Sequence, residues 1–171
     1  MRIISLLAII SALMIVGCGD PAPAIKVDQQ SITEAQFSRW QKTLAGLKSS
    51  SCKGACGKQQ QLAKERTLAQ LLPGLWALAS SNKQHLQLSA ADIKLRTEQI
   101  SPQLASKAGG VTAADIAWSA RGDVALMMLM AKAQANTAAK RATLLKVLQQ
   151  QWASDTECSE LLAGLAGCPK S

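Results

Sequence analysis

Leu68, Leu71, Leu72, Leu75, Trp76 and Ala79 follow the series i, i+3, i+4, i+7, i+8 and onward. That spacing gathers apolar side chains on one face of a 3.6-residue helix and has no counterpart in the two-residue period of a strand. A face this wide must be covered, so the chain has to supply further helices or a sheet to pack against it. Pro73 and Gly74 lie inside the series. A proline there removes a helical hydrogen bond and clashes with the preceding turn, so a kink or a split is expected.

The rest of the chain supplies mostly helices. Thr33 fits an N-cap with Gln36 at N3, Ile32 and Phe37 fall at the two staple positions, and Phe37, Trp40, Leu44 and Leu47 continue the stripe. "LSAADIK" at 88–94 and "VTAADIA" at 111–117 share a hydroxyl N-cap and an acid at N3, so each is expected to start a helix. A shared capping box accounts for the likeness without an internal repeat. Ile93, Thr97, Ile100 and Leu104 form one face, interrupted near Pro102; Ile116, Ala120, Val124, Met127 and Ala131 form the next; Leu144, Leu145, Leu148 and Trp152 form another. Ser154 with Glu157 reads as a last capping box before a short helix carrying Cys158, Leu161, Leu162 and Leu165. Residues 49–58 and 107–110 have loop composition. Ahead of the first helix, Ile25 and Val27 alternate with polar residues as a short strand or extended arm. The fold class expected is all-α, one helical domain with a short N-terminal extended arm.

The first residues set the compartment. Met1-Arg2, an apolar run from Ile3 to Val16 and Gly17-Cys18 have the form of a secretory signal. The run is shorter than the ~20 residues that span a bilayer. "IVGC" at 15–18 resembles the bacterial lipobox, which implies cleavage after residue 17 and diacylation, palmitate among the acyl chains, of Cys18. Residues 18–24 then form a lipidated tether and 25–171 the domain. By resemblance to Gram-negative lipoproteins, Gly19 after the lipidated cysteine favours the outer membrane, with the protein facing the periplasm.

Of 171 residues, 154 remain once the first 17 are removed, enough for one domain. Only Arg2 is lost from 19 basic residues, so 18 stand against 11 acidic and the net charge is +7. No recognition helix or aromatic stacking platform accompanies that charge, which argues against nucleic acid and toward anionic headgroups or acidic polypeptides. No phosphate loop, metal-spaced His pair or nucleophile elbow is present, so no cofactor, metal or enzymatic activity is expected. His85 reads as an exposed loop residue, and Arg121-Gly122-Asp123, mid-helix, as chance. With Cys18 assigned to lipid, Cys52, Cys56, Cys158 and Cys168 form an even set suited to two disulfides in an oxidising compartment. Of three pairings the local ones, Cys52 with Cys56 and Cys158 with Cys168, are preferred. The second needs Gly164 and Gly167 to turn the chain back, because ten residues of helix span about 15 Å.

"AIKVDQQSITEAQFSRW" at 24–40 and "LAQLLPGLWALASSNKQHLQLSAADIKLRTEQI" at 68–100 resemble the N-terminal chaperone domain of SurA and PrsA type periplasmic foldases. There an extended arm enters the first helix, and a helix, a lysine-containing turn and a junction lead into the next. Gln29-Gln30, Pro73-Gly74 and the four cysteines depart from that pattern, and there is no room for a parvulin domain. The resemblance therefore implies a SurA-like chaperone core without isomerase activity, with helices near 138–165 packing back on the N-terminal ones. Its partners would be unfolded or secreted polypeptides, bound through Trp76, Trp118, Met127, Met128 and Met130. Methionine suits a surface that adapts to many partners, although a helix apolar on every side reads first as a buried core helix. The alternative function is a small structural lipoprotein that docks onto a folded envelope, secretion or conjugation complex.

Overall fold

The structure, a computed structural model, describes residues 22–45, 56–105 and 110–169. The elements run β1 (Pro23–Val27), β2 (Gln30–Thr33), α1 (Glu34–Ala45), α2 (Cys56–Lys83), α3 (Ala90–Ala105), α4 (Ala113–Lys132), α5 (Ala138–Trp152) and β3 (Thr156–Cys158). The described chain is mainly helical, as expected, and adds a small three-stranded antiparallel sheet of order β2-β1-β3 that brings residues 23–33 beside residues 156–158. Ile25 and Val27 are fully buried with half-exposed Lys26 between them, so the alternation visible in the sequence is the pleat of a central strand. The strand also takes in Pro23 and buried Ala24, which the sequence places in the tether.

The hairpin leads directly into α1. Thr33 N–H donates to Gln36 Oε1 at 3.0 Å and Gln36 N–H donates to Thr33 Oγ1 at 3.2 Å, the reciprocal capping box expected there. Ile32, Phe37 and Trp40 enter the core behind it.

Helix α2 lies at the centre, touching α1, α4, α5 and the sheet. Leu75 to Ser81 are buried without interruption, so the one-sided stripe of the sequence becomes a helix enclosed on every side over those two turns, before Asn82 and Lys83 emerge to solvent. Pro73 does not split it. The neighbouring Gly74 meets Gly122 of α4, where a Cβ added to Gly122 would lie 3.0 Å from the Gly74 Cα. Contacts on both sides of Pro73 hold the two halves in one helix, against the intrinsic proline cost of about 3 kcal/mol. α3 continues through Pro102 in the same way and lies along α4, where Arg96 pairs with Asp123 at 2.8 Å. Gly122 and Asp123 thus serve the α2–α4 crossing and the α3–α4 contact.

The helix expected after Ser154 is absent. Thr156–Cys158 instead forms β3, registering Val27 with Thr156 and Ile25 with Cys158. The reason is tertiary: Thr156 Oγ1 donates to Trp152 O at 2.7 Å and accepts from Trp76 Nε1 at 3.2 Å, holding the chain extended beside β1. Beyond β3 the chain turns back through Gly164 (φ 80°) and Gly167 (φ 90°), and Cys158 and Cys168 form a disulfide with Cα atoms 5.6 Å apart. This is the local pairing preferred above, made by a turn instead of a helix.

Candidate functional site

The C-terminus of α4 builds the site. Met130, Ala131 and Lys132 end the helix, Ala133 caps it, and Gln134 enters the left-handed region at φ 50°. Ala135 N–H then donates to Met130 O at 2.8 Å and Gln134 N–H to Ala131 O at 3.0 Å, the paired bonds of a Schellman stop. Ala135 is buried, which anchors the corner. Two residues later Thr137 caps α5, its hydroxyl accepting from Lys140 N–H at 3.3 Å.

The turn leaves a groove of about 630 Å3 between the end of α4 and the start of α5. Met127, Met130 and Ala131 form its apolar wall, and Gln134, Lys140 and Arg141 its polar rim. Met127 is 50 % exposed, an unusual loss of apolar burial in a helix whose neighbour Leu129 is in the core. Arg141 is oriented by two weak hydrogen bonds, Nε to Ala135 O at 3.3 Å and Nη2 to Asn136 O at 3.4 Å, and Lys140 Nζ reaches Gln134 O at 3.4 Å. Among the described residues neither cation meets a carboxylate. A smaller depression of about 230 Å3 lies where Gly167 and Cys168 cross Trp76 and Gln149.

The residues predicted from the sequence are dispersed over the fold. Met127 and Met130 line the groove; Met128 is half-buried on the same helix and does not line it. Trp118 is half-buried against the core. Trp76, 6 % exposed, packs mainly in the core with its N–H committed to Thr156, and only edges the small depression beside Gly167 and Cys168, away from the α4–α5 groove. Cys18, Cys52 and the Cys52–Cys56 pairing lie outside the described residues. Cys56 is the first residue of α2. His85 takes a left-handed φ of 53° and stops α2, with Leu86 N–H donating to Ser81 O at 2.9 Å and His85 N–H to Asn82 O at 3.0 Å.

Sequence reasoning missed Lys140 and Arg141. Their signal was available: from Val124 to Ser154 the chain carries Lys132, Lys140, Arg141 and Lys146 and no acidic residue. It also missed Arg39, whose guanidinium donates from Nε to Asp115 Oδ2 at 2.7 Å and from Nη2 to Asp115 Oδ1 at 2.8 Å. Asp115 is 1 % exposed. Burial disfavours its charge, but hydrogen bonds from Arg39, from the backbone and side chain of Thr112, and from Gln36 outweigh this and hold the carboxyl down at about 2. The pair locks α1 to the start of α4 and lies away from the groove.

Among the described residues no group of His, Cys, Asp or Glu could hold a metal, and no helix is long and apolar enough to cross a membrane. No protein-family model, no curated protein and no solved structure matches the chain.

Proposed function

We propose that the chain is a lipid-anchored, non-catalytic chaperone-like protein of the bacterial envelope, holding unfolded or secreted polypeptides on its periplasmic side. The observation that carries this reading is the α4–α5 groove, where Met127 stands half-exposed beside Met130 above a finished hydrophobic core. Flexible thioether side chains on an open wall accept apolar segments of varied shape. The SurA-like resemblance supports the same reading: the N-terminal arm runs into α1, and α5 and β3 return to pack on α2 and β1. Acylation at Cys18 would concentrate the groove beside the membrane where such clients emerge.

The test dilutes an outer-membrane protein from denaturant into buffer and follows light scattering with and without the protein, at low and high salt. Suppression that persists at high salt is the expected result, because apolar capture is not screened. Suppression that vanishes with salt would assign the effect to the +7 charge alone, and none at any salt would sink the reading.

Docking onto one folded envelope complex is the second reading, favoured by a different surface. The disulfide-closed turn after β3 carries Leu161 at 62 % exposure, a fixed apolar projection suited to a preformed partner. Recovery of a single stoichiometric folded protein by crosslinking in cells would favour it over chaperoning.

A further inference from the structure

The groove has a sign as well as a shape. Lys140 and Arg141 occupy the first turn of α5, where the helix dipole is already positive and where acidic side chains are the stabilising choice. No carboxylate of the described residues offsets them, and the 31 residues from Val124 to Ser154, which include both helical walls, contain four basic residues and no acid. By contrast two half-buried arginines elsewhere, Arg39 and Arg96, are paired with Asp115 and Asp123, whereas Lys140 and Arg141 are exposed. Lys140 and Arg141 point only at backbone carbonyls at 3.3 Å or more, weak contacts that a carboxylate readily replaces.

From this combination we infer that the α4–α5 groove binds an acidic amphipathic polypeptide segment, with its apolar side chains against Met127 and Met130 and its carboxylates on Lys140 and Arg141. The inference rests on the capture reading above and names the class of client. A segment fits better than a membrane surface because the groove is concave: Met130 is half-buried at the wall, reachable by an inserted side chain but recessed from a flat bilayer. The charge complementarity is also local, since two cations on one helical turn match carboxylates spaced along one face of a peptide.

The experiment uses the full chain reconstituted in phosphatidylcholine vesicles. It measures fluorescence anisotropy of two labelled amphipathic peptides, one of leucine and glutamate and one of leucine and glutamine. The acidic peptide is expected to bind about five- to tenfold more tightly, about 1–1.4 kcal/mol from the two exposed charge pairs together. Lys140→Glu with Arg141→Glu should erase that preference, and Met127→Ser should weaken both peptides. Arg141 also braces the corner, so Lys140→Glu alone, which places an acid where the α5 dipole favours one, serves as the variant whose folding is secure; it should remove part of the preference. Equal binding of the two peptides, with scattering still suppressed, would overturn the acidic-client inference and leave the capture reading standing. Failure of both peptides together with loss of suppression would remove both. Binding to phosphatidylglycerol vesicles with no peptide binding would give the groove to the membrane and overturn the inference.

Discussion

Asp28 (φ 53°), His85 (φ 53°) and Gln134 (φ 50°) are the non-glycine residues that take a left-handed backbone among those described, and each sits where the chain must reverse or stop. Asp28 opens the two-residue loop between β1 and β2, a place for which asparagine, aspartate or glycine is the usual choice. His85 and Gln134 end α2 and α4 in the position normally given to glycine, at a cost of about 1 kcal/mol each. Replacing Gln134 by Gly should therefore raise unfolding free energy by up to ~1 kcal/mol in urea titration; no change or a loss would mean that the side chain itself braces the groove. Asp115 makes the opposite kind of prediction. Its folded carboxyl titrates at about 2 against an ordinary value of 3.8, so its stabilisation is present above 3.8 and is lost as pH falls toward 2. Acid unfolding should show a loss of about 2 kcal/mol in that window, absent in Asp115→Asn, which should itself be destabilised by about 2–4 kcal/mol with Arg39 left unpaired.

At the scale of elements, α2 and α4 are joined by a glycine contact and α2 and α5 by a tryptophan. Gly74 and Gly122 let two helix backbones meet with no side chain between them. Gly122→Val should force the helices apart and cost about 1–3 kcal/mol in thermal or denaturant unfolding, despite the better helix propensity of valine over glycine. Trp152, 4 % exposed, donates its indole N–H to Ser80 Oγ at 2.7 Å inside the enclosed part of α2. Trp152→Phe should leave Ser80 without that partner and lower stability by about 1–3 kcal/mol, measured the same way. Capping chemistry made α1, α3 and α4 legible from sequence, since Thr33, Ser89 and Thr112 each accept from the backbone N–H three residues on. The pseudo-cap at Ser154 misled because the N–H groups a helix would have required are engaged by β1, over a hundred residues away.

For the described molecule as a whole, residues 23–33 and 156–158 converge on one sheet, and the disulfide fastens the turn that follows to it. Closing a ten-residue separation restricts the unfolded chain enough to be worth about 3 kcal/mol. Reduction with dithiothreitol, or Cys158→Ser with Cys168→Ser, should lower stability by roughly that amount. An unchanged denaturation midpoint would mean that Gly167 against Leu72 and the β1–β3 ladder already hold the turn unaided.

Local chemistry in the sequence determined helices α1 to α5, the caps of α1, α3 and α4, the extended run at Ile25 and Val27 and the compartment expected for the chain, because periodicity, capping and signal segments act within a few residues. The long-range pairings were decided by tertiary structure alone: Thr156 beside Val27, Arg39 on Asp115, Gly122 on Gly74 and the Met127–Arg141 groove. None of these partners lies within a helical turn of the other, so no local pattern reports them. Each depends on which burial the folded core completes, and on which charges and apolar side chains it leaves outside.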